Sequence, residues 1–155
     1  MDKICSIVLP NQLFKESLFH KKHSKIFMVE EHLFFNQYKF HKQKISFHRA
    51  TMKFYYDYLN KFGCDIEYVE SFSKESNIQV LVEKINFLGY EIIEIYDPVD
   101  YLIGKRLKKT CNELNIKLII HETNLFINTS EELKGFFKES KKKFFQTSFY
   151  KSERK

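Results

Sequence analysis

Cysteine is scarce in this sequence, and the three cysteines lie far from one another. Cys5, Cys64 and Cys111 form no CxxC pair and are odd in number. Neither a disulfide framework nor a zinc site is therefore predicted. The pattern indicates reduced, mostly buried thiols in an intracellular protein.

Glycine and long apolar runs are also rare. The four glycines form no GxGxxG fingerprint, no GxxxxGK[ST] phosphate loop and no GxSxG nucleophile elbow, which excludes the common nucleotide-binding and hydrolase motifs. No stretch approaches the roughly 20 apolar residues that span a membrane, and residues 1–14 lack the anatomy of a signal peptide. We expect an intracellular, non-secreted protein without a membrane partner.

The sequence does contain a regular alternation of strand-like and helix-like segments. Short β-branched runs at 5–9, 25–29, 64–69, 90–96 and 116–121 predict strands, most of them apolar enough to be buried on both faces. Between them, apolar residues recur at helical spacing over 41–62, 76–88 and 99–114, and Gly63 and Gly89 follow two of these helices. The alternation predicts a doubly wound α/β fold with a five-stranded, mostly parallel sheet and helices on both faces.

The C-terminal segment differs from the rest in charge and pattern. Residues 134–155 hold eight Lys or Arg against two Glu, a net charge of +6, so the preceding residues sum to zero. A capping-box pattern at Thr129 or Ser130 predicts a new helix there. We therefore divide the chain into an α/β domain, 1–128, and a basic, aromatic helical connector, 129–155.

Two interpretations of the connector stay open. Its rings could stack on nucleic-acid bases while its lysines meet phosphates. Alternatively the rings pack on this protein or on a partner, which the Phe pairs at 136/137 and 144/145 favour because such pairs are too apolar for water. In either case the candidate contact residues are Lys141, Lys142, Lys143, Phe149 and Tyr150.

Candidate ligand contacts come from the predicted strand ends. Ligands of open α/β sheets bind beyond the carboxyl ends of the strands, where strand order reverses. The residues that follow the strands are mostly amides and carboxylates, which suit a neutral heterocycle with hydroxyl groups better than a polyphosphate. They are Pro10, Asn11, Gln12, Leu13, Glu30, Glu31, Asp97 and Pro98. The alternative is that these loops are polar simply because they are loops.

Lys42 and Lys44 are a further candidate pair, because they lie at the start of the longest predicted helix. Cations are mildly unfavourable there, since a helix N-terminus carries partial positive charge. Their position suggests an acidic ligand or partner, whereas the simpler interpretation is that both amines are solvated.

Taken in order, several segments resemble a known family. IVLPNQLF, FMVEEHLFF, YKFHKQKISFHRATMKFYYDYL, GCDIEYVE, DPVDY and the run from ETNLFIN to FYKSE are similar to the N-terminal α/β domain of deoxyribodipyrimidine photolyase-related proteins, the iron–sulfur bacterial cryptochrome and (6-4) photolyase group. The resemblance covers nearly the whole chain. The family commonly has Gly-Asp-Gln-Leu after the first strand, where this chain has Pro10, Asn11, Gln12 and Leu13.

The resemblance implies an antenna domain that holds a lumazine-type chromophore, 6,7-dimethyl-8-ribityllumazine, in the crevice at the strand ends. FAD, the iron–sulfur cluster and most of the DNA surface would belong to a helical domain, so neither cofactor is expected in this chain. The chain would then be no enzyme alone, but a module that supports DNA photorepair with a separately encoded helical partner. The runner-up hypothesis is a small nucleic-acid-binding protein that acts through its basic connector.

Overall fold

The computed structural model describes residues 3–21, 24–138 and 140–154. Within them the strands are β1 Ile4–Val8, β2 Lys25–Val29, β3 Ile66–Val69, β4 Ile92–Tyr96 and β5 Lys117–His121. The helices are α1 His32–Phe35, α2 Lys42–Lys61, α3 Ile78–Phe87, α4 Tyr101–Glu113, α5 Ser130–Phe136 and α6 Gln146–Glu153. Two 3-10 turns, Leu18–Lys21 and Lys74–Ser76, complete the described elements.

The strands form one parallel sheet in the order β3-β2-β1-β4-β5. β1 lies at the centre, where Ser6 is in register with Ile26 of β2 and with Glu94 of β4. The chain fills the β2 and β3 side first and then continues on the β4 and β5 side. The predicted doubly wound α/β fold is confirmed, and its strand order reverses between β1 and β4.

Alternation along the strands divides the core into two layers. Cys5 and Ile7 of β1, with Leu9 just after the strand, pack with α3 and α4, whereas Val8 packs with Met52 and other residues of α2. Successive side chains of a strand point to opposite faces, so an apolar strand supplies both layers. Such strands need helices on both faces, as the near-continuous apolar runs indicated.

The helix boundaries follow local chemistry that is readable in the sequence. Gly63 and Gly89 lie just beyond α2 and α3 with φ of 71° and 76°, a left-handed conformation that costs glycine little. Thr129 caps α5 through a complete capping box with Glu132. Asp100 caps α4 by accepting hydrogen bonds from the Leu102 and Ile103 amides.

Other local elements were not predicted. α1 and the 3-10 turns span three or four residues, too few for a periodic pattern to appear. The connector contains two short helices, α5, which starts at the predicted capping box, and α6.

The chain divides into two compact units, Met1–Thr123 and Asn124–Lys155, and each is described separately below. The predicted division at residue 128 lies close to this boundary, and the role of the second unit as a connector stays a prediction. None of the helices in the described part of the chain is both long enough and apolar enough to cross a membrane.

Candidate functional site

The candidate site lies at the carboxyl ends of β1 and β4, where the sheet reverses its strand order. Gln12 is the most deeply buried of the polar residues in the loop after β1: it is only 1% exposed. Its Nε2 donates to the Tyr96 and Asp97 carbonyls at 2.8 and 3.3 Å, and its Oε1 accepts from the Leu9 amide at 3.3 Å. One glutamine therefore ties the loop after β1 to the end of β4.

Replacing Gln12 by leucine should lower the free energy of unfolding by about 1–3 kcal/mol, because buried backbone groups would lose their partners. Urea denaturation monitored by circular dichroism measures the change. The matched control is Gln37→Leu, an exposed glutamine, which should change stability by less than about 0.5 kcal/mol. Equal effects of the two substitutions would contradict the role assigned to Gln12.

Asn11, next to Gln12, connects the same two loops and retains an unused acceptor. Its Nδ2 donates to the Pro98 carbonyl at 3.2 Å. Its Oδ1 is buried without a hydrogen-bond donor in the described residues. Pro10 and Pro98 are buried and Leu13 is partly buried, so the predicted residues of both loops do come together at the reversal point.

Glu31, which follows β2, supplies a second unused acceptor. The residue is fully buried, and its Oε2 accepts from the Leu33 amide at 2.5 Å, which caps α1. Its Oε1 is buried, and no donor in the described part of the structure meets hydrogen-bonding geometry with it, although the Ile78 amide acts on the same carboxyl group. Burial raises the pKa of this carboxyl, although the Leu33 and Ile78 amides and the charge of Arg106 act in the opposite direction.

Glu30 has a different environment from Glu31, because adjacent side chains at a strand end point to opposite faces. Its Oε1 accepts from Arg49 Nε at 2.8 Å and from the Tyr68 hydroxyl at 2.7 Å. Its Oε2 accepts from Arg49 Nη2 at 2.6 Å and from the Ser71 amide at 2.9 Å. Both carboxylate oxygens of Glu30 therefore link α2 to the end of the sheet. A contact between Glu30 and a ligand stays a prediction.

Arg49 was missed by sequence reasoning, although it holds this network together. Its guanidinium also donates to the Ser71 hydroxyl at 2.8 Å and lies 5.8 and 5.3 Å from the ring centres of Phe35 and Phe72. The sequence offered one indication of this role: Arg49 is the single arginine in a helix that is otherwise rich in lysine. Arginine is the better bidentate partner of a buried carboxylate.

Lys42 and Lys44 lie at the start of α2, which carries no acid in its first turn. Because β2 and β3 are parallel, the intervening α2 runs back from the carboxyl edge of the sheet, so it starts on the same side as the candidate site. Both lysines are exposed, and the Lys44 amine lies 3.6 Å from the ring centre of Phe40. A contact of these lysines with a ligand stays a prediction.

The turn between β4 and α4 lines an open cleft of about 520 Å³. Asp97 is exposed and accepts from the Val99 amide at 2.9 Å, while Asp100 caps α4. Between them Val99 has φ of 61°, a strained conformation for a β-branched residue. Tyr101 and Lys105 also line the cleft. Apart from Asp97-Pro98, the pair at which β4 was expected to end, nothing in the sequence indicated that these two residues line a cleft.

The second unit forms its own small aromatic cluster. Phe149 packs against Phe136 and Phe137 with ring centres 5.1 and 5.2 Å apart. Phe144 lies 5.3 Å from Phe137, and the Lys141 amine donates to the Phe136 carbonyl at 2.8 Å. Lys142, Lys143 and Tyr150 are exposed. Phe149 is thus engaged by other rings, and nucleic-acid contact by this unit stays a prediction.

No three His, Cys, Asp or Glu residues converge as metal ligands within the described residues. The site is therefore defined by the amides and carboxylates at the sheet edge.

Comparison with known proteins agrees with this architecture. The family model described as deoxyribodipyrimidine photo-lyase-related protein matches residues 6–155. The chain belongs to this family. It is also similar to Uncharacterized protein R852 of Acanthamoeba polyphaga mimivirus, with 36% identity over 158 residues, which cover 96% of this chain and 80% of the viral protein. The photolyase-related resemblance is thereby confirmed at family level, while the antenna-domain and iron–sulfur assignments remain to be proposed.

Proposed function

We propose that this photolyase-related chain is a chromophore-binding module without catalysis of its own. The chromophore is a flat heterocycle with a polyol chain, and 6,7-dimethyl-8-ribityllumazine is the first choice. The module supports DNA photorepair with a separately encoded helical partner, which holds FAD and the iron–sulfur cluster and contacts the DNA. Membership of the family supports this assignment.

The observation that carries the proposal is the pair of unused acceptors at the sheet edge. Asn11 Oδ1 and Glu31 Oε1 are both buried, and no donor of the described residues is in hydrogen-bonding geometry with either, although the Ile78 amide also acts on the Glu31 carboxyl. Asn11 donates to the Pro98 carbonyl in the loop after β4, and Glu31 follows β2 at the same carboxyl edge of the parallel sheet. Because buried polar groups are rarely left unpaired, a ligand that brings O–H or N–H donors would satisfy them.

The capping of nearby helices favours a neutral ligand over a phosphate. Phosphates bind free backbone amides at helix starts. At this edge the starts of α1, α2, α3 and α4 are each capped by a side chain of the protein, namely Glu31, His41, Asn77 and Asp100. Two of these caps are carboxylates, which repel phosphate, whereas ribityl hydroxyls can donate to a carboxylate.

The direct test is chromophore retention. The purified chain is mixed with 6,7-dimethyl-8-ribityllumazine, riboflavin, FAD or a folate, separated by gel filtration and examined by absorbance and fluorescence. We expect the lumazine to be retained. A colourless protein in every mixture would remove the chromophore from the proposal.

Replacing Glu31 tests whether the chromophore binds at this edge of the sheet. Glu31→Leu should weaken lumazine binding roughly 10- to 100-fold, because a hydrogen bond to a charged group contributes about 1.5–3 kcal/mol. The control is Glu83→Leu, an exposed acid on α3, which should leave affinity unchanged. Fluorescence titration measures both, and circular dichroism verifies that each variant is folded. Equal affinities in the two variants would place the ligand elsewhere.

The partner is tested separately. A helical flavin-binding half of a photolyase-related protein, encoded in the same genome, is co-expressed with the tagged chain, and the eluate is examined for flavin absorbance. Co-elution of flavin with both chains supports the split arrangement. Elution of the tagged chain alone would contradict it and leave the chromophore test unaffected.

A further inference from the structure

An apolar groove runs along the outer side of α2, and the candidate site does not use it. The groove has a volume of about 700 Å³ and lies between α2 and the segment that follows β1. Phe47 and Phe54 line it from α2 and are 69% and 76% exposed. Leu13 and Lys15 line it from the other segment. Exposed apolar surfaces of this kind mark interaction sites in soluble proteins.

The hydroxyl groups that line the groove are already hydrogen-bonded within the protein. Thr51 Oγ1 is hydrogen-bonded to two carbonyls of the preceding turn of α2 at 3.0 and 2.9 Å. The Tyr55 and Tyr58 hydroxyls donate to the carbonyls of Phe14 and Lys15 at 2.8 and 3.2 Å. Among the described residues, the groove therefore offers a partner apolar surface and the Lys15 amine, but no hydroxyl proton that is free to donate.

This lining suits a helix better than an extended peptide. An extended chain would bring backbone N–H and C=O groups that lose water in the groove without gaining partners there. An α-helix satisfies its own backbone groups and presents only side chains. The α2 residues of the groove extend from Phe47 to Tyr58, about 16 Å at 1.5 Å per residue, which is the length of three helical turns.

Lysines without an ion pair surround the groove. Lys15 lines it, Lys44 lies one turn before the first groove residue of α2, and Lys61 lies one turn after the last. All three are exposed, and none forms an ion pair with a described residue. Their amines are therefore available to the carboxylates of a partner.

The acids closest to the groove in the sequence are fewer and do not line it. Asp57 is the one acid of α2, against five Lys or Arg. At 100° per residue, helical geometry places Asp57 beyond Phe54, on the side of that ring away from the groove. Glu16 follows Lys15 and does not line the groove either. An acidic partner would thus meet more cations than acids, whereas a basic partner would meet like charge.

We propose that this groove binds one amphipathic α-helix of another protein, with its apolar side on Phe47 and Phe54 and its acidic residues near the three lysines. At about 200 Å² per aromatic side chain, the two rings expose roughly 300 Å². A standard globular interface buries about 800 Å² per partner, so this area suits a single short helix. The concave shape between two segments also suits a helix better than the flat surface of a membrane.

Selection from a displayed library of helical peptides of roughly 18 residues, about five turns, tests the kind of partner. The full chain is the bait, and Phe54→Ser serves for counter-selection. We expect enriched peptides with apolar residues at i, i+3 or i+4, and i+7, and with more Asp and Glu than Lys and Arg. Enrichment of basic peptides or of peptides with proline in the apolar stripe would overturn the proposal, as would no enrichment at all.

Fluorescence anisotropy with the most enriched peptide tests the apolar contact. Phe54→Ser should weaken binding at least tenfold, because the substitution removes an aromatic anchor. The control, Phe87→Ser, removes a ring of α3 that is 89% exposed and should leave affinity unchanged. Equal affinities of the two variants would place the peptide outside the groove and overturn the proposal.

The same titration tests the charges. Lys15→Glu combined with Lys61→Glu should weaken binding roughly tenfold at low salt, and the loss should shrink as salt is added. The matched control is Lys74→Glu combined with Lys117→Glu, which reverses two exposed lysines elsewhere and should change affinity little. Equal losses in the two double variants would refute the acidic partner.

Two further measurements distinguish other occupants of the groove. Sedimentation velocity of the chain alone detects a second copy, and flotation with phosphatidylserine vesicles detects a membrane surface. We expect neither a dimer nor vesicle binding that depends on Phe54. A dimer, or a vesicle-bound chain, that Phe54→Ser abolishes would assign the groove to that occupant and overturn the proposal.

Discussion

Replacing Arg49 by methionine should lower the free energy of unfolding by about 3 kcal/mol, toward the lower end of the cost of leaving a buried charge unpaired. Glu30 is fully buried and receives two hydrogen bonds from Arg49. Methionine retains much of the packing of the arginine stem but none of its charge. The Arg49 side chain is 33% exposed, so water can partly solvate Glu30, and we expect no larger effect. Urea denaturation measures the change.

An exposed ion pair between α2 and the residue that follows β3 provides the control. Lys53 and Glu70 lie 3.2 Å apart, with side chains 45% and 56% exposed. Lys53→Met should cost less than about 1 kcal/mol. Adding Glu30→Gln to Arg49→Met should recover much of the loss, since no buried charge then remains. A loss after Arg49→Met as small as that after Lys53→Met would show that the Glu30 network contributes little.

Acid should destabilise the protein through the same carboxyl group. Burial tends to raise the pKa of Glu30, but hydrogen bonds from Arg49, Tyr68 and Ser71 outweigh it and lower the pKa from 4.5 to about 2. Because the folded-state pKa is the lower one, Glu30 stabilises the fold above pH 4.5, and this contribution disappears as the pH falls toward 2. At about 1.4 kcal/mol per pKa unit, the loss is about 3 kcal/mol.

Chemical denaturation at a series of pH values, for the wild type and Glu30→Gln, isolates this contribution. The wild type should lose about 3 kcal/mol more than the variant between pH 5 and pH 2. Glu31 acts in the opposite sense, because its pKa is raised: its contribution is present at low pH and is lost as the pH rises. Since both proteins retain Glu31, its effect cancels in the comparison. Parallel stability curves would refute the assignment to Glu30.

The elements of the fold could be predicted because their causes are local. The five apolar runs correspond to β1–β5, and the glycines that were expected to end two helices do follow α2 and α3. Thr129 begins α5 for the same reason, since a capping box involves residues three positions apart. α1 could not be predicted, because its start depends on the carboxylate of Glu31 and its length allows no repeat.

From the sequence, the candidate site could be predicted only as the group of residues that follow the strands. Asn11, Gln12, Glu31 and Pro98 do lie at one edge of the sheet, as the parallel topology requires. The sequence could not show that Gln12 is committed to backbone carbonyls whereas Asn11 retains a free oxygen. These roles depend on how the loop after β1 packs against the loop after β4, and those loops are more than 80 residues apart in the chain.

Glu30 and Glu31 show which properties of this protein its sequence determined and which only its tertiary structure decided. The sequence alone established that two acids follow a buried strand, and strand geometry implied that they face opposite sides. Only the tertiary structure decided that Arg49, Tyr68 and Ser71 satisfy Glu30 while Glu31 keeps an unpaired oxygen. The periodic patterns and caps that predict the strands and helices involve near neighbours in the sequence. The protonation and availability of a buried carboxylate depend instead on donors that distant parts of the chain bring within hydrogen-bonding distance.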